Sequence, residues 1–87
     1  MQRAIKTIIV VLLNKRKIGG VHIPEKKVLK RLGWIEDNER KEFEKDYKNL
    51  INQGCIFRQK KKTGKGSDWH ISLNPKRLKE LYELLEE

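Results

Sequence analysis

The sequence predicts an α+β domain, mainly helical, with one small β-hairpin. Three observations predict it. Apolar residues recur at helical spacing in four separate segments. One further stretch alternates instead: Trp69, Ile71 and Leu73 are separated by polar His70 and Ser72 and preceded by Asp68, the period-two pattern of a half-buried strand. The length of 87 residues fits one small domain and leaves no room for a second.

The first helix is expected from Gln2 to about Lys15, because Ile5, Ile8, Ile9, Leu12 and Leu13 share a face. The run Thr7 to Val11 is β-branched and also suits a strand; length and the polar ends Arg3, Lys6 and Asn14 favour helix. Gly19 and Gly20 break the chain, and Val21, His22 and Ile23 have room only for a short strand. Pro24 suits the first position of a second helix, about 24–32, where a missing N–H costs nothing. Val28, Leu29 and Leu32 give that helix its apolar face, and Gly33 ends it. Trp34 and Ile35 are read as anchors of the following turn. A third helix, about 38–53, takes Asp37 or Asn38 as N-cap. Its stripe is Phe43, Tyr47, Leu50 and Ile51, and Gly54 closes it. A hairpin over 55–73 starts apolar at Ile56 and Phe57, turns basic and reverses at Thr63–Gly66. Asn74 and Pro75 open a last helix, about 75–86, with Leu78, Leu81, Tyr82 and Leu85 as its stripe.

Composition bounds the function. Hydrophobic residues make up 37% and charged residues 38% of the chain, so the core is thin, yet the periodic clustering argues against disorder. A single Cys excludes an internal disulfide, and no Cys/His spacing suits zinc. The longest apolar run, Ile8 to Leu13, is far short of the ~20 residues that span a bilayer. Basic residues follow it where a signal peptide would carry a small-residue cleavage site. A reduced, cytoplasmic domain is the expectation.

The formal net charge is +9, from 21 Lys and Arg against 12 Asp and Glu. A lysine- and glutamate-rich surface can serve solubility alone, and the high Lys, Glu and Ile usage suits a thermophilic source. The distribution decides between solubility and an acidic partner. Lys15 to Arg31 carries seven bases and one acid, Glu25; Arg58 to Lys65 carries five bases and no acid. Solubility does not require two localised blocks, whereas a footprint on phosphates does.

The element order is helix, short strand, helix, helix, hairpin with a basic tip, helix (α-β-α-α-β-β-α), and it resembles a winged helix-turn-helix domain. The likeness is most specific over Leu50-Ile51-Asn52-Gln53-Gly54-Cys55-Ile56 followed by Arg58, and over the return strand Trp69-His70-Ile71-Ser72-Leu73 running into Asn74, Pro75 and the last helix. This is similar to the hairpin-and-exit pattern of MarR-like and PadR-like regulators. The long dimerisation helices common in such regulators are absent or reduced to the two terminal helices. The resemblance implies sequence-specific binding of double-stranded DNA, with the third helix in the major groove.

The residues suit that role. At ~100° per residue, Asn38, Lys41, Lys45, Lys48, Asn49 and Asn52 lie roughly opposite the apolar stripe of the third helix, while Glu39, Glu44 and Asp46 fall to its flanks and Glu42 to the edge of the outward stripe. Lysine donates to guanine or phosphate, and asparagine pairs with adenine. An ordinary solvated face held by Glu/Lys pairs is the plainer alternative. Arg58, Lys60, Lys61, Lys62 and Lys65 form the wing, suited to the backbone or the minor groove; a charged edge that blocks aggregation explains one or two of these bases better than five. Lys26, Lys27 and Lys30 are placed on flanking phosphates.

His22 and His70 are expected to be structural or exposed, Cys55 a small buried residue, and Trp34 and Trp69 core residues. No phosphate loop, nucleophile elbow or metal set supports catalysis or a cofactor. Val10, Val11, Leu81, Leu84 and Leu85 exceed what so small a core requires, so a homodimer through the first and last helices is expected. Two alternatives remain. One is a winged-helix protein-interaction module within a transcription or replication complex. The other is RNA binding, disfavoured by the lack of an exposed aromatic platform.

Overall fold

A computed structural model describes residues 3–87, apart from the side chain of Thr63; the expected start of the first helix at Gln2 lies outside them. Among the described residues the chain forms α1 (Arg3–Asn14), β1 (Ile23–Pro24), α2 (Glu25–Leu29), α3 (Asp37–Asn52), β2 (Ile56–Thr63), β3 (Gly66–Leu73) and α4 (Leu78–Leu85). Short 3-10 turns, Lys30–Leu32 and Pro75–Arg77, extend α2 and open α4. The fold is α+β, with the three strands in one antiparallel sheet of order β1-β3-β2.

Both well-defined helix ends use a left-handed residue. Arg16 (φ 53°) follows α1 and Gly54 (φ 79°) follows α3. In each case the next residue's N–H reaches back to the last turn, Lys17 to the Leu12 carbonyl at 2.9 Å and Cys55 to that of Leu50 at 2.9 Å, satisfying carbonyls the helix leaves open. Glycine adopts this geometry without penalty; Arg16 does not.

Two starts differ from expectation by one position. Pro24 is extended (ψ 129°) and pairs with His70, so it precedes α2 rather than opening it. Glu36, not Asp37 or Asn38, is the N-cap of α3, and the Asn38 side chain instead accepts from the Glu39 N–H at 3.0 Å. Asn74 caps as expected, accepting from the Lys76 N–H at 3.0 Å with Pro75 following.

The core is one cluster. Ile5, Ile8, Ile9 and Leu12 of α1 are fully buried against Val28, Leu32, Phe43, Tyr47 and Leu50 on one side and Ile56, Ile71, Leu73 and Leu81 on the other. The chain after α1 docks on β3, where Gly19 N–H meets the Leu73 carbonyl at 2.8 Å and Leu73 N–H the Lys17 carbonyl at 2.9 Å. At the opposite end β2 and β3 continue beyond the core to a two-residue turn at Gly64 and Lys65. Burial along β3 is therefore graded: Ile71, Ser72 and Leu73 are all buried and the tip is exposed. The expected apolar/polar alternation is overridden because the base of the strand is covered on both faces.

Candidate nucleic-acid interface

The 3.6-residue period of α3 turns Phe43, Tyr47 and Leu50 inward and leaves Asn38, Lys41, Lys45, Lys48, Asn49 and Asn52 exposed. Lys48 and Asn52 also edge a cleft of about 490 Å³ between α2 and α3, with Leu29, Leu32 and Ile51 among its walls and Glu25 and Arg58 at one end. The C-terminal end of the Asn/Lys row, Lys48 and Asn52, thus shares one depression with Arg58 of the hairpin, together with Arg40 and Glu44 of α3.

Arg58 differs from its expected role as a wing cation. The register aligns Ile23, Ile71 and Arg58 across the sheet, so Arg58 sits on the core-facing side of β2 and meets Glu25, two residues beyond Ile23. Its Nε donates to Glu25 Oε2 at 2.6 Å and its Nη2 to Oε1 at 3.1 Å, while the Tyr47 hydroxyl donates to Oε2 at 2.7 Å. Burial alone would raise the Glu25 carboxyl, but the bonds from Arg58 and Tyr47 outweigh it and hold it below the usual carboxylate range. Burial, then Glu25, pushes the Tyr47 phenol far up. The same guanidinium lies 3.9 Å over the Trp69 ring centroid. Arg58 is thus a strut joining the hairpin to α2 and α3. Its bidentate fork is occupied by Glu25.

Both tryptophans expected in the core are at the surface, Trp34 43% and Trp69 40% exposed. Trp69 lies on β3 beyond its buried end, and Trp34 in the turn before α3. Each ring lies under an arginine, Trp34 beneath Arg3 at 4.4 Å and Trp69 beneath Arg58. Exposed aromatic surface, whose expected lack disfavours the RNA alternative, is therefore present.

The remaining hairpin bases separate by strand parity. Lys60 and Lys62 share a face with Trp69, and Lys60 Nζ is 6.0 Å from its centroid. Lys61 shares the other with Asp68 and His70. Lys65 is exposed in the turn. On α2 and the turn after it Lys26, Lys27 and Lys30 are exposed, and Lys26 pairs with Asp68 at 3.3 Å.

The two histidines, 48 residues apart, come together on that second face: His22 and His70 place their Nδ1 atoms 2.8 Å apart, with ring planes at 79°. The β1–β3 pairing makes them diagonal neighbours. No sequence pattern announces this contact, because it depends on the register of a two-residue strand. The Arg58 strut did leave a signal: Ile56, Arg58 and Lys60 share one parity, and Glu25 is the lone acid in the first basic block. Among the described residues no cluster of His, Cys, Asp or Glu is of a kind to hold a metal ion, and no helix is long and apolar enough to cross a membrane.

The chain matches no protein-family model, and neither curated proteins nor solved structures include a significant relative.

Proposed function

We propose that the chain is a winged helix-turn-helix module that binds double-stranded DNA sequence-specifically, as a transcriptional regulator. In this reading α3 enters the major groove, the β2–β3 wing lies on the backbone or minor groove, and Lys27 and Lys30 touch flanking phosphates. The observation that supports it is the exposed Asn/Lys row of α3, of which Lys48 and Asn52 border a cleft that Arg58 at the base of a lysine-rich hairpin also lines. An electrostatic footprint needs accessible bases, and the lysines of α3 and of the hairpin are exposed.

The test is duplex affinity measured by fluorescence anisotropy across a salt series. Random duplex should bind with a steep negative slope of log K against log salt. Replacing Lys60, Lys61, Lys62 and Lys65 together by Ala should weaken binding to every sequence and flatten the slope by ~0.9 per lost phosphate contact. Binding with an unchanged slope would remove the wing from the interface. No binding at low salt would transfer the assignment to a protein-interaction module, which the half-buried Leu29 and Ile51 along the α2–α3 cleft favour.

A further inference from the structure

The His22–His70 contact is the feature of the surface that the DNA reading has not absorbed. With the Nδ1 atoms 2.8 Å apart, one N–H lies between them and one ring presents a lone pair, so the bond exists only while that ring is neutral at Nδ1. Adding a proton there makes that ring a cation and sets two N–H groups against each other, and the bond is lost. An anion that the rings turn apart to admit reverses the balance, because its oxygens accept both N–H groups, the one on the cationic ring as a charge-assisted bond.

The surroundings select an anion. Lys61 projects from β2 on the same face as His70, and Lys17 approaches from the segment after α1; both lower the proton affinity of His22, after burial and together with His70. Asp68, also on that face of β3, is engaged by Lys26 of α2. Gln59 and Pro24, opposite His70 on the two neighbouring strands, carry no charge. A metal cation would meet the positive charge of Lys17 and Lys61 with only two imidazoles to hold it.

We propose that the His22–His70 pair, with Lys61 and Lys17, is a nucleic-acid phosphate contact that takes up its anion together with a proton from solvent. The inference rests on the DNA reading above and extends it to the sheet face opposite Trp69. DNA affinity then depends on pH between the free value of His22, held below the ordinary 6.5, and the higher value it takes with the anion bound, a range that about pH 5 to about pH 8 covers. The sign follows from linkage. The bound state holds more protons than the free state, so affinity rises as pH falls, by at most ~10-fold per pH unit for each proton taken up.

The experiment measures anisotropy of a random duplex across this pH range for the parent chain and for His22→Gln and His70→Gln separately. Imidazole NMR titrations of the parent accompany it, with the protein free, with duplex and with inorganic phosphate. Circular dichroism melts establish that each variant is folded, and two variants keep the test alive if one is not. The parent should tighten roughly 3- to 10-fold per pH unit on acidification, both variants should lose most of that dependence, and duplex should raise the histidine midpoints. Duplex binding with the same pH dependence in all three proteins and unmoved midpoints would overturn this proposal and leave the DNA reading intact. Equal midpoint shifts from inorganic phosphate would overturn the assignment to nucleic acid. Absence of duplex binding at every pH would overturn both.

Discussion

At the scale of single residues, Glu25 ties the hairpin to α2 and α3. It accepts from Arg58 twice and from Tyr47 once, and removing it leaves a guanidinium and a phenol without their partner. Glu25→Ala should cost ~1–2 kcal/mol in a urea melt, less than a fully buried pair because Arg58 retains contact with water. Glu25→Gln, which keeps the shape, should cost less. Because the folded carboxyl is held below its ordinary value, its contribution is fully present above about pH 4.5 and is lost as pH falls through the lowered value. The stability difference between parent and Glu25→Gln should therefore shrink in acid. Arg16 offers the opposite effect. Its left-handed backbone (φ 53°) costs ~1–2 kcal/mol, and glycine recovers most of that against its own chain entropy of ~0.5–1 kcal/mol. Arg16→Gly should raise the melting temperature by a few degrees; a lower one would mean that the arginine side chain contributes more than the strain costs.

At the scale of elements, α3 and the flank of α2 divide the proposed binding into two kinds of contact. Lys41 is exposed in the N-terminal half of α3, the part of a recognition helix that reaches bases. Lys41→Ala should reduce discrimination between a selected site and random duplex by ~1–3 kcal/mol. Lys30→Ala, on the turn after α2, should weaken both duplexes alike, because phosphates carry no sequence. Equal losses from the two variants would make α3 a phosphate contact rather than a reader. The hairpin is not a loose arm in this scheme. Arg58–Glu25 ties its base to α2, and the exposed Lys26–Asp68 pair joins its other face to α2 more weakly.

At the scale of the whole molecule, the proposed homodimer rests on less apolar surface than the sequence implied. Leu81 is completely buried and belongs to the core, so Leu81→Asp should unfold the chain rather than separate subunits. Val10 and Tyr82 are exposed and Val11, Leu84 and Leu85 half-buried. Tyr82→Asp should leave the fold intact and, if the terminal helices pair, convert twice the chain mass to once in sedimentation. A parent that sediments as a monomer, free and on DNA, would reduce the terminal helices to closing the core.

The periodic patterning by itself determined where the four helices and the hairpin lie and which way α3 faces, because a 3.6- or two-residue repeat reads out the buried side of an element from local sequence. The exposed row from Asn38 to Asn52 follows from that repeat alone. Tertiary structure decided what each charge and ring is used for. Arg58 faces Glu25 because β1 and β2 flank β3 in one register, His22 meets His70 through the same pairing, and Trp69 is a surface residue because β3 runs past the core before reaching it. Partners separated by 33 or 48 residues are set by strand register and by competition for a small interior, and neither quantity is written in any local stretch of the chain.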